Sequence, residues 1–124
     1  GSRIRFLNED RVEDIMEVLA MFDLLITDYS SIYIDYLLLE RPMLFLPYDR
    51  EDYLKTRGFN FDYDEVTPGP KPKSYAEFLN SIEGLLYNEM NYVENRKKIE
   101  RKFNKIQKPC SEDICRMVKM MCIR

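Results

Sequence analysis

Histidine is absent from all 124 residues of this sequence. The absence excludes histidine-activated nucleophiles, histidine general bases and histidine metal ligands within the chain. Glycine is scarce as well, with four residues whose spacing forms neither a dinucleotide-binding fingerprint nor a P-loop. Any chemistry here must therefore rely on carboxylates, hydroxyls, thiols or arginine, and any phosphate must be held without a glycine-rich loop.

Tryptophan and long apolar runs are missing too. A membrane-spanning helix needs about 20 consecutive apolar residues, which this sequence does not contain. With 45% hydrophobic and 33% charged residues, the chain is instead typical of one globular domain. Residues 1–2, Gly1-Ser2, are interpreted as the remnant of a cleaved tag, and we expect the chain to be a piece of a longer protein.

The three cysteines are Cys110, Cys115 and Cys122. Their odd number and the lack of a CxxC pair argue against a disulfide framework or a zinc site. We expect reduced thiols in a cytoplasmic protein. Cys115 and Cys122 are seven residues apart on one face of a predicted helix, where core packing is the expectation and a redox or ligand role is the alternative.

The net charge of -3 conceals an asymmetry between the two parts of the chain. Residues 1–91 contain 9 Lys/Arg and 18 Asp/Glu, whereas residues 92–124 contain 10 and 4. The acidic part disfavours nucleic acid as a partner. The basic stretch has a helical pattern with an apolar stripe at Tyr92, Ile99, Phe103 and Ile106. It is interpreted as a solvated face, with attraction to an anionic membrane surface or to the acidic part as the alternative.

Short apolar runs alternate with helical patterns along the first half of the chain. Arg3–Leu7 is predicted as a strand, and a helix is expected to start at Asp10. Leu24–Thr27 and Met43–Leu46 are predicted as buried strands that flank a helix over Ile32–Glu40. This alternation predicts an α/β fold with a parallel sheet and helical crossovers.

Regular patterning weakens between Tyr48 and Lys73, and a long functional loop is predicted there. Ser74 and Glu77 then form a capping box, which predicts a helix with an apolar stripe at Tyr75, Phe78, Leu79, Ile82 and Leu86. The basic helix follows. Pro109 and Ser111 introduce a last amphipathic helix whose stripe is Ile114, Val118, Met121 and Cys122.

The segment Thr27-Asp28-Tyr29-Ser30-Ser31 follows a predicted strand and precedes an apolar helix. In a parallel sheet, ligands bind beyond the carboxyl ends of the strands. The hydroxyls of Ser30 and Ser31 and the N–H groups of the helix start would suit an anion there. Simple N-capping by Asp28 or Ser30 is the alternative interpretation.

Three further residues are candidates for the same site. Asp35 lies one helical turn after Ser31 in an apolar run, so we expect it to have a partner, either Arg57 or a ligand hydroxyl. Arg57 offers a fork of donors suited to phosphate, and Gly58 permits close backbone approach. For Arg57 the alternative is a surface ion pair with the acidic residues Asp49, Glu51 and Asp52. No aspartate pair has a spacing that indicates a metal site.

The strings DLLITDYSSIYIDYLLLERPMLFLPYD and RGFNFDYDEVTPGP closely resemble the C-terminal part of the CDP-glycerol glycerophosphotransferase family of bacterial teichoic acid enzymes. The resemblance runs from about Leu7 to Leu86. It implies a three-layer, Rossmann-like parallel sheet that forms part of the C-terminal half of a glycosyltransferase-B-like fold. Residues 3–108 would be a partial donor-nucleotide-binding domain, and residues 109–124 a C-terminal helix that packs on the missing half.

The resemblance also implies a function. The donor would be CDP-glycerol, with Ser30 and Ser31 facing its pyrophosphate and Arg57 as a further phosphate contact. The family's catalytic histidines lie in segments absent here, so this chain by itself is expected to be inactive. No cofactor is implied. The parent enzyme would be cytoplasmic and peripheral on the inner face of the membrane, with an acceptor domain preceding this part.

Two other interpretations stay open. One is a related transferase that uses another nucleotide-activated sugar or polyol for capsule synthesis. The other is a non-catalytic interaction module of the same fold, acting through the basic helix or through a surface of Met117, Met120 and Met121.

Overall fold

The computed structural model describes residues 3–8, 11–87, 91–106 and 109–122. Gly1, Ser2, Asp10 and Lys108, on which some sequence predictions fall, lie outside these residues. The elements are α1 (Ile15–Leu19), β1 (Leu25–Thr27), α2 (Ile32–Tyr36), a 3₁₀ turn (Leu37–Leu39), β2 (Met43–Phe45), α3 (Arg50–Thr56), α4 (Tyr63–Val66), α5 (Tyr75–Leu86), α6 (Val93–Phe103) and α7 (Ser111–Cys122).

Within the described residues the sheet consists of two parallel strands, β1 and β2, connected through α2. Leu25 pairs with Met43 and Thr27 pairs with Phe45. Every side chain of β2 is fully buried, as expected of an apolar strand covered on both faces. The predicted burial of the first strand is wrong, because Ile26 of β1 is exposed and Leu25 and Thr27 are only half-buried. The predicted α/β fold with a parallel sheet is therefore confirmed.

The predicted strand at Arg3–Leu7 is wrong. Residues 3–8 contain no strand and are exposed, including the side chains of Ile4 and Phe6. The first helix is also shorter than predicted. It begins at Ile15, because the carboxylate of Asp14 accepts a 2.9 Å hydrogen bond from the N–H of Met16 and caps it there.

The segment Pro68-Gly69-Pro70 runs beside β2. The N–H of Phe45 donates a 3.0 Å hydrogen bond to the carbonyl oxygen of Pro70. A Cβ on Gly69 would overlap the carbonyl oxygen of Met43, so only glycine permits this close approach. The segment therefore covers the side of β2 away from β1 and fixes the start of the chain that leads to α5.

The predicted long loop between Tyr48 and Lys73 contains two helices, α3 and α4. The prediction missed them because both are short and their apolar residues do not repeat over a full 11-residue window. A local cap nevertheless begins α4, since the carboxylate of Asp62 accepts hydrogen bonds from the N–H groups of Asp64 and Glu65.

The predicted N-cap of α5 at Ser74 is confirmed, whereas the reciprocal bond of the capping box goes to the N–H of Lys73 and not to that of Ser74. The hydroxyl of Ser74 accepts a hydrogen bond from the N–H of Glu77 at 3.2 Å, and the Glu77 carboxylate accepts one from the N–H of Lys73 at 2.8 Å. The predicted apolar stripe is displaced. The buried positions of α5 are Ser81, Gly84 and Leu85, whereas Tyr75, Leu79 and Leu86 are exposed.

Helix α6 packs against the 3₁₀ turn after α2. Ile99 enters the main core cluster and Phe103 packs against it, whereas Ile106 is exposed. The amide of Asn104 donates a 3.1 Å hydrogen bond to the carbonyl oxygen of Ile34. One face of the basic helix is therefore structural, and it holds α2 in place.

Helix α7 forms over the predicted residues, but none of its side chains is buried. Ile114, Met117, Val118 and Met121 are all more than half exposed. Cys115 and Cys122 are exposed free thiols, so the expected core packing of these two cysteines is wrong. In the described part of the chain, no helix has the length and hydrophobicity needed to span a bilayer.

Candidate functional site

The segment Thr27–Ser31 lies at the carboxyl end of β1, as the sequence predicted. The carboxylate of Asp28 accepts a 3.2 Å hydrogen bond from the N–H of Ser30, and the Ser30 hydroxyl accepts one of 3.4 Å from the N–H of Ile32. Ser31 occupies the N-cap position without a side-chain capping bond, and it is exposed. Asp28 and Ser30 therefore organise the turn, while the Ser31 hydroxyl is available to a ligand.

Four aromatic rings connect this turn to the residues that follow α3. Tyr29 stacks on Tyr53 with ring centroids 4.1 Å apart, Tyr53 on Phe59 at 5.1 Å, and Phe59 on Tyr63 at 5.2 Å. The hydroxyl of Tyr63 donates a 2.8 Å hydrogen bond to the carbonyl oxygen of Asp28. The two motifs TDYSS and RGFNFDY, more than 25 residues apart in the sequence, thus form one structural unit.

Two of the phenols in this unit, those of Tyr29 and Tyr63, are held neutral. Burial raises the pKa of Tyr29 to about 12, and the Asp49 carboxylate beside its hydroxyl adds to the rise. Burial also raises the pKa of Tyr63. Neither hydroxyl is thus suited to act as an acid or base near neutral pH, and their contribution is to shape and hold the site.

A groove of about 230 Å³ lies against these rings, and we call it the aromatic groove. It is lined by Tyr29, Ser31, Tyr33, Ile34, Tyr53, Gly58, Phe59, Asn60, Phe61, Tyr63, Val66 and Phe103. Ser31 and Gly58 therefore share one surface. Gly58 has a positive φ of 71° with open space where a Cβ would stand, so backbone conformation, not close packing, requires glycine here.

The predicted ion pairs of Arg57 do not form within the described residues. Arg57 is exposed just beyond α3, and the ion pairs there join other residues, such as Lys55 with Asp52 at 3.4 Å. Asp35 is exposed too. The expected pairing of Asp35 with Arg57 is thus wrong, since water solvates the carboxylate, whereas a contact with a ligand hydroxyl stays a prediction.

A second charged cluster was missed by the sequence analysis. Asp64 accepts a 2.8 Å hydrogen bond from Arg50, and Lys71 approaches its other oxygen at 3.8 Å. The Arg50 hydrogen bond holds the pKa of Asp64 below its usual range. Lys71 also donates to the carbonyl oxygen of Thr67 at 3.0 Å, and burial lowers its pKa.

This cluster lines a cleft of about 800 Å³ beyond the carboxyl end of β2. The signal in the sequence was Lys71 directly after Pro68-Gly69-Pro70, a segment whose backbone is fixed against β2. Within residues 3–8, 11–87, 91–106 and 109–122, no cluster of three or more acidic or cysteine side chains could hold a metal ion.

An α/β domain with polar residues and anchored loops beyond the carboxyl ends of parallel strands is typical of proteins that bind nucleotide-like ligands. The family model for CDP-glycerol:poly(glycerophosphate) glycerophosphotransferase matches residues 3–119. The chain therefore belongs to this family.

Relatives of known name support this assignment. The chain is 40% identical to the teichoic acid poly(ribitol-phosphate) polymerase of Bacillus spizizenii over 67% of its own length and 13% of that protein. It is 38% identical to the teichoic acid poly(glycerol phosphate) polymerase of Bacillus subtilis over 77% of the chain and 15% of that protein. It is 32% identical to the teichoic acid glycerol-phosphate transferase of Staphylococcus aureus over 86% of the chain and 28% of that protein.

The fold matches a solved structure of the wall teichoic acid polymerase TagF. The TM-score is 0.72 at 27% identity, and the match covers 95% of this chain and 30% of that one. The prediction of a fragment of a glycosyltransferase-B-like fold is thereby confirmed. The chain spans less than a third of the length of each of these four proteins.

Proposed function

We propose that this chain is the donor-holding part of a larger transferase, with CDP-glycerol as the donor. An acceptor hydroxyl of a teichoic-acid-like or other cell-surface polymer would attack the β-phosphorus of CDP-glycerol, and CMP would leave. One observation carries the proposal most directly. The 2.8 Å hydrogen bond from Tyr63 to the Asp28 carbonyl joins the two family motifs, so that Ser31 and Gly58 line one groove.

The donor set suits a pyrophosphate. The hydroxyls of Ser30 and Ser31 and the guanidinium of Arg57 donate hydrogen bonds to phosphate oxygens, and Arg57 also neutralises charge. Helix α2 has five residues, so its dipole adds little and the side-chain donors matter more. Asp28 holds the turn, and Asp35 accepts from a ligand hydroxyl. Gly58 allows the chain to turn after Arg57.

Phosphoryl transfer of this kind depends on positioning and charge neutralisation more than on covalent help. The chain has no histidine, and in our proposal the general base comes from an acceptor domain elsewhere in the parent protein. We therefore expect the chain alone to bind the donor weakly and to transfer nothing. The parent would act in the cytoplasm, at the inner face of the membrane.

Ligand-observed NMR with CDP-glycerol, CDP and CMP tests this proposal. The double variant Ser31→Ala, Arg57→Ala should lose most of the binding of the two diphosphates. The control Ser111→Ala, Arg116→Ala removes the same side-chain types from α7 and should bind these ligands as well as the unmodified 124-residue chain does. Equal binding by both variants, or no binding at millimolar ligand, would contradict the donor site.

Helix α7 is wholly exposed, which favours a contact between this helix and another part of the parent protein. Its apolar side chains, Ile114, Met117, Val118 and Met121, would pack on the acceptor domain of the parent protein. A parent protein carrying Met117→Asp and Val118→Asp should then lose thermal stability, whereas the same two changes in the 124-residue chain should not alter its unfolding. Equal effects in both proteins would contradict the packing.

A further inference from the structure

The outer side of α6 carries cations that the proposed donor site does not use. Lys98, Arg101 and Lys102 are exposed on this helix, and Lys105 is exposed just beyond its end. Spacings of three and four residues place them on one side of a helix. Among the described residues, none of the four takes part in an ion pair. We call these four residues the basic face.

The exposed apolar side chains beside the basic face are those of Ile106, next to Lys105, and Phe61, under Lys102, and these two do not form a continuous apolar face. The other two apolar residues of this stretch are covered by the protein, since Ile99 is buried in the core cluster and Phe103 packs against it. A helix that lies in a membrane interface needs an exposed apolar face in addition to its charges. The arrangement therefore favours a soluble polyanion over a lipid surface as the occupant.

The basic face begins at the edge of the aromatic groove. The ammonium of Lys102 lies 4.6 Å above the ring centroid of Phe61, and Phe61 contacts Phe103 edge to face at 5.4 Å. Both rings line the aromatic groove together with Ser31 and Gly58. A chain leaving the groove past Phe61 would thus reach Lys102 first and Lys98 one helical turn later.

We propose that the basic face binds a flexible polyanion of polyols joined by phosphodiesters. Positions 98 and 102 are separated by about 6 Å along the helix axis, a distance that a short polyol linker between two phosphates can follow. Residues 1–91, with 9 cations against 18 acids, repel such a polymer, so charge directs it to α6. The inference rests on the proposed function, which supplies a polymer of this class.

Fluorescence anisotropy with a labelled poly(glycerol phosphate) tests the proposal on the 124-residue chain at several salt concentrations. The variant Lys98→Gln, Arg101→Gln, Lys102→Gln should weaken binding by about tenfold and flatten its salt dependence, because fewer counterions are released. The control Lys55→Gln, Arg116→Gln, Lys119→Gln removes the same charge elsewhere and should change the affinity less than about twofold. Equal losses in the two variants would overturn the proposal.

Two further probes separate the possible sources of phosphate. Glycerol 3-phosphate and vesicles containing phosphatidylglycerol should each bind far more weakly than the polymer at equal phosphate concentration. Vesicle binding as tight as polymer binding, and lost in the same variant, would assign the basic face to the membrane and overturn the proposal. Binding of the monomer equal to that of the polymer would also overturn it.

The donor site can fail independently of this inference. Ser31→Ala, Arg57→Ala should retain polymer binding, and the basic-face variant should retain binding of CDP-glycerol. A chain that binds the polymer through α6 but shows no donor binding would contradict the proposed function and leave the basic face supported.

Discussion

The hydroxyl of Tyr63 donates a 2.8 Å hydrogen bond to the backbone carbonyl oxygen of Asp28. This bond spans 35 residues of sequence and joins the start of α4 to the turn after β1. The Tyr63 ring is buried among Tyr29, Phe59 and Phe45. The position of the TDYSS turn thus depends on a residue of the second motif.

Tyr63→Phe should lower the free energy of unfolding by about 1 kcal/mol, because the ring is retained while a part-buried carbonyl oxygen loses its donor. Urea denaturation measures the change. Tyr75→Phe removes an exposed hydroxyl and should have no measurable effect. If the two variants are equally stable, the hydrogen bond does not hold the turn.

Gly69→Ala should destabilise the chain more than Gly58→Ala. At Gly69 a Cβ meets the backbone of β2, which cannot move without disturbing the sheet, so we expect a loss of about 2 kcal/mol or more. At Gly58 the space is open and the φ of 71° is the difficulty, which costs about 1 kcal/mol. Urea denaturation measures both variants, and similar losses in their free energy of unfolding would contradict this ranking.

The parts of the fold that the sequence predicted are those encoded by local patterns. The strand Met43–Phe45 is an uninterrupted apolar run, and the Ser74 and Glu77 capping box marks the start of α5 unambiguously. Helices α3 and α4 depend on tertiary contacts, above all the stacking of Tyr53 and Tyr63 with their neighbours. Short elements of this kind have little periodicity of their own.

The candidate site was predicted in outline but not in its contacts. The residues after β1 were identifiable because a polar turn between a strand and an apolar helix is a local signal. The aromatic groove depends on rings separated in sequence, such as Tyr29 and Phe59. The cluster of Arg50, Asp64 and Lys71 depends on how the Pro68–Pro70 segment follows β2. No pattern along the chain specifies either arrangement.

The ion pair between Arg50 and Asp64 should make the stability of the chain depend on pH. The hydrogen bond from Arg50 lowers the pKa of Asp64 in the folded chain. The pair therefore stabilises the fold at pH values above the unfolded pKa of Asp, which is about 3.9. This stabilisation is lost as the pH falls through the lower pKa of the folded chain. An NMR titration of the Asp64 carboxyl should have its midpoint below the usual range. In Arg50→Gln the midpoint should rise.

Lys55→Gln is the control for this titration, since Lys55 pairs with Asp52 instead. It should leave the Asp64 midpoint unchanged. Both partners of the Arg50 pair are more than one-third exposed, so solvent screens the interaction and the effect on overall stability should be small. An Asp64 midpoint that stays in place in Arg50→Gln would contradict the assigned cause.

Asn104→Ala should loosen the attachment of α6 to α2, because it removes the donor of the 3.1 Å hydrogen bond to the Ile34 carbonyl. The part-buried carbonyl loses its partner, and we expect a loss of about 1 kcal/mol in the free energy of unfolding. Amide hydrogen exchange should accelerate in α6 more than in α5. Asn80→Ala, on the exposed side of α5, should leave both rates unchanged. Faster exchange throughout the chain in Asn104→Ala, without a difference between the helices, would mean that the bond stabilises the fold generally and does not anchor α6.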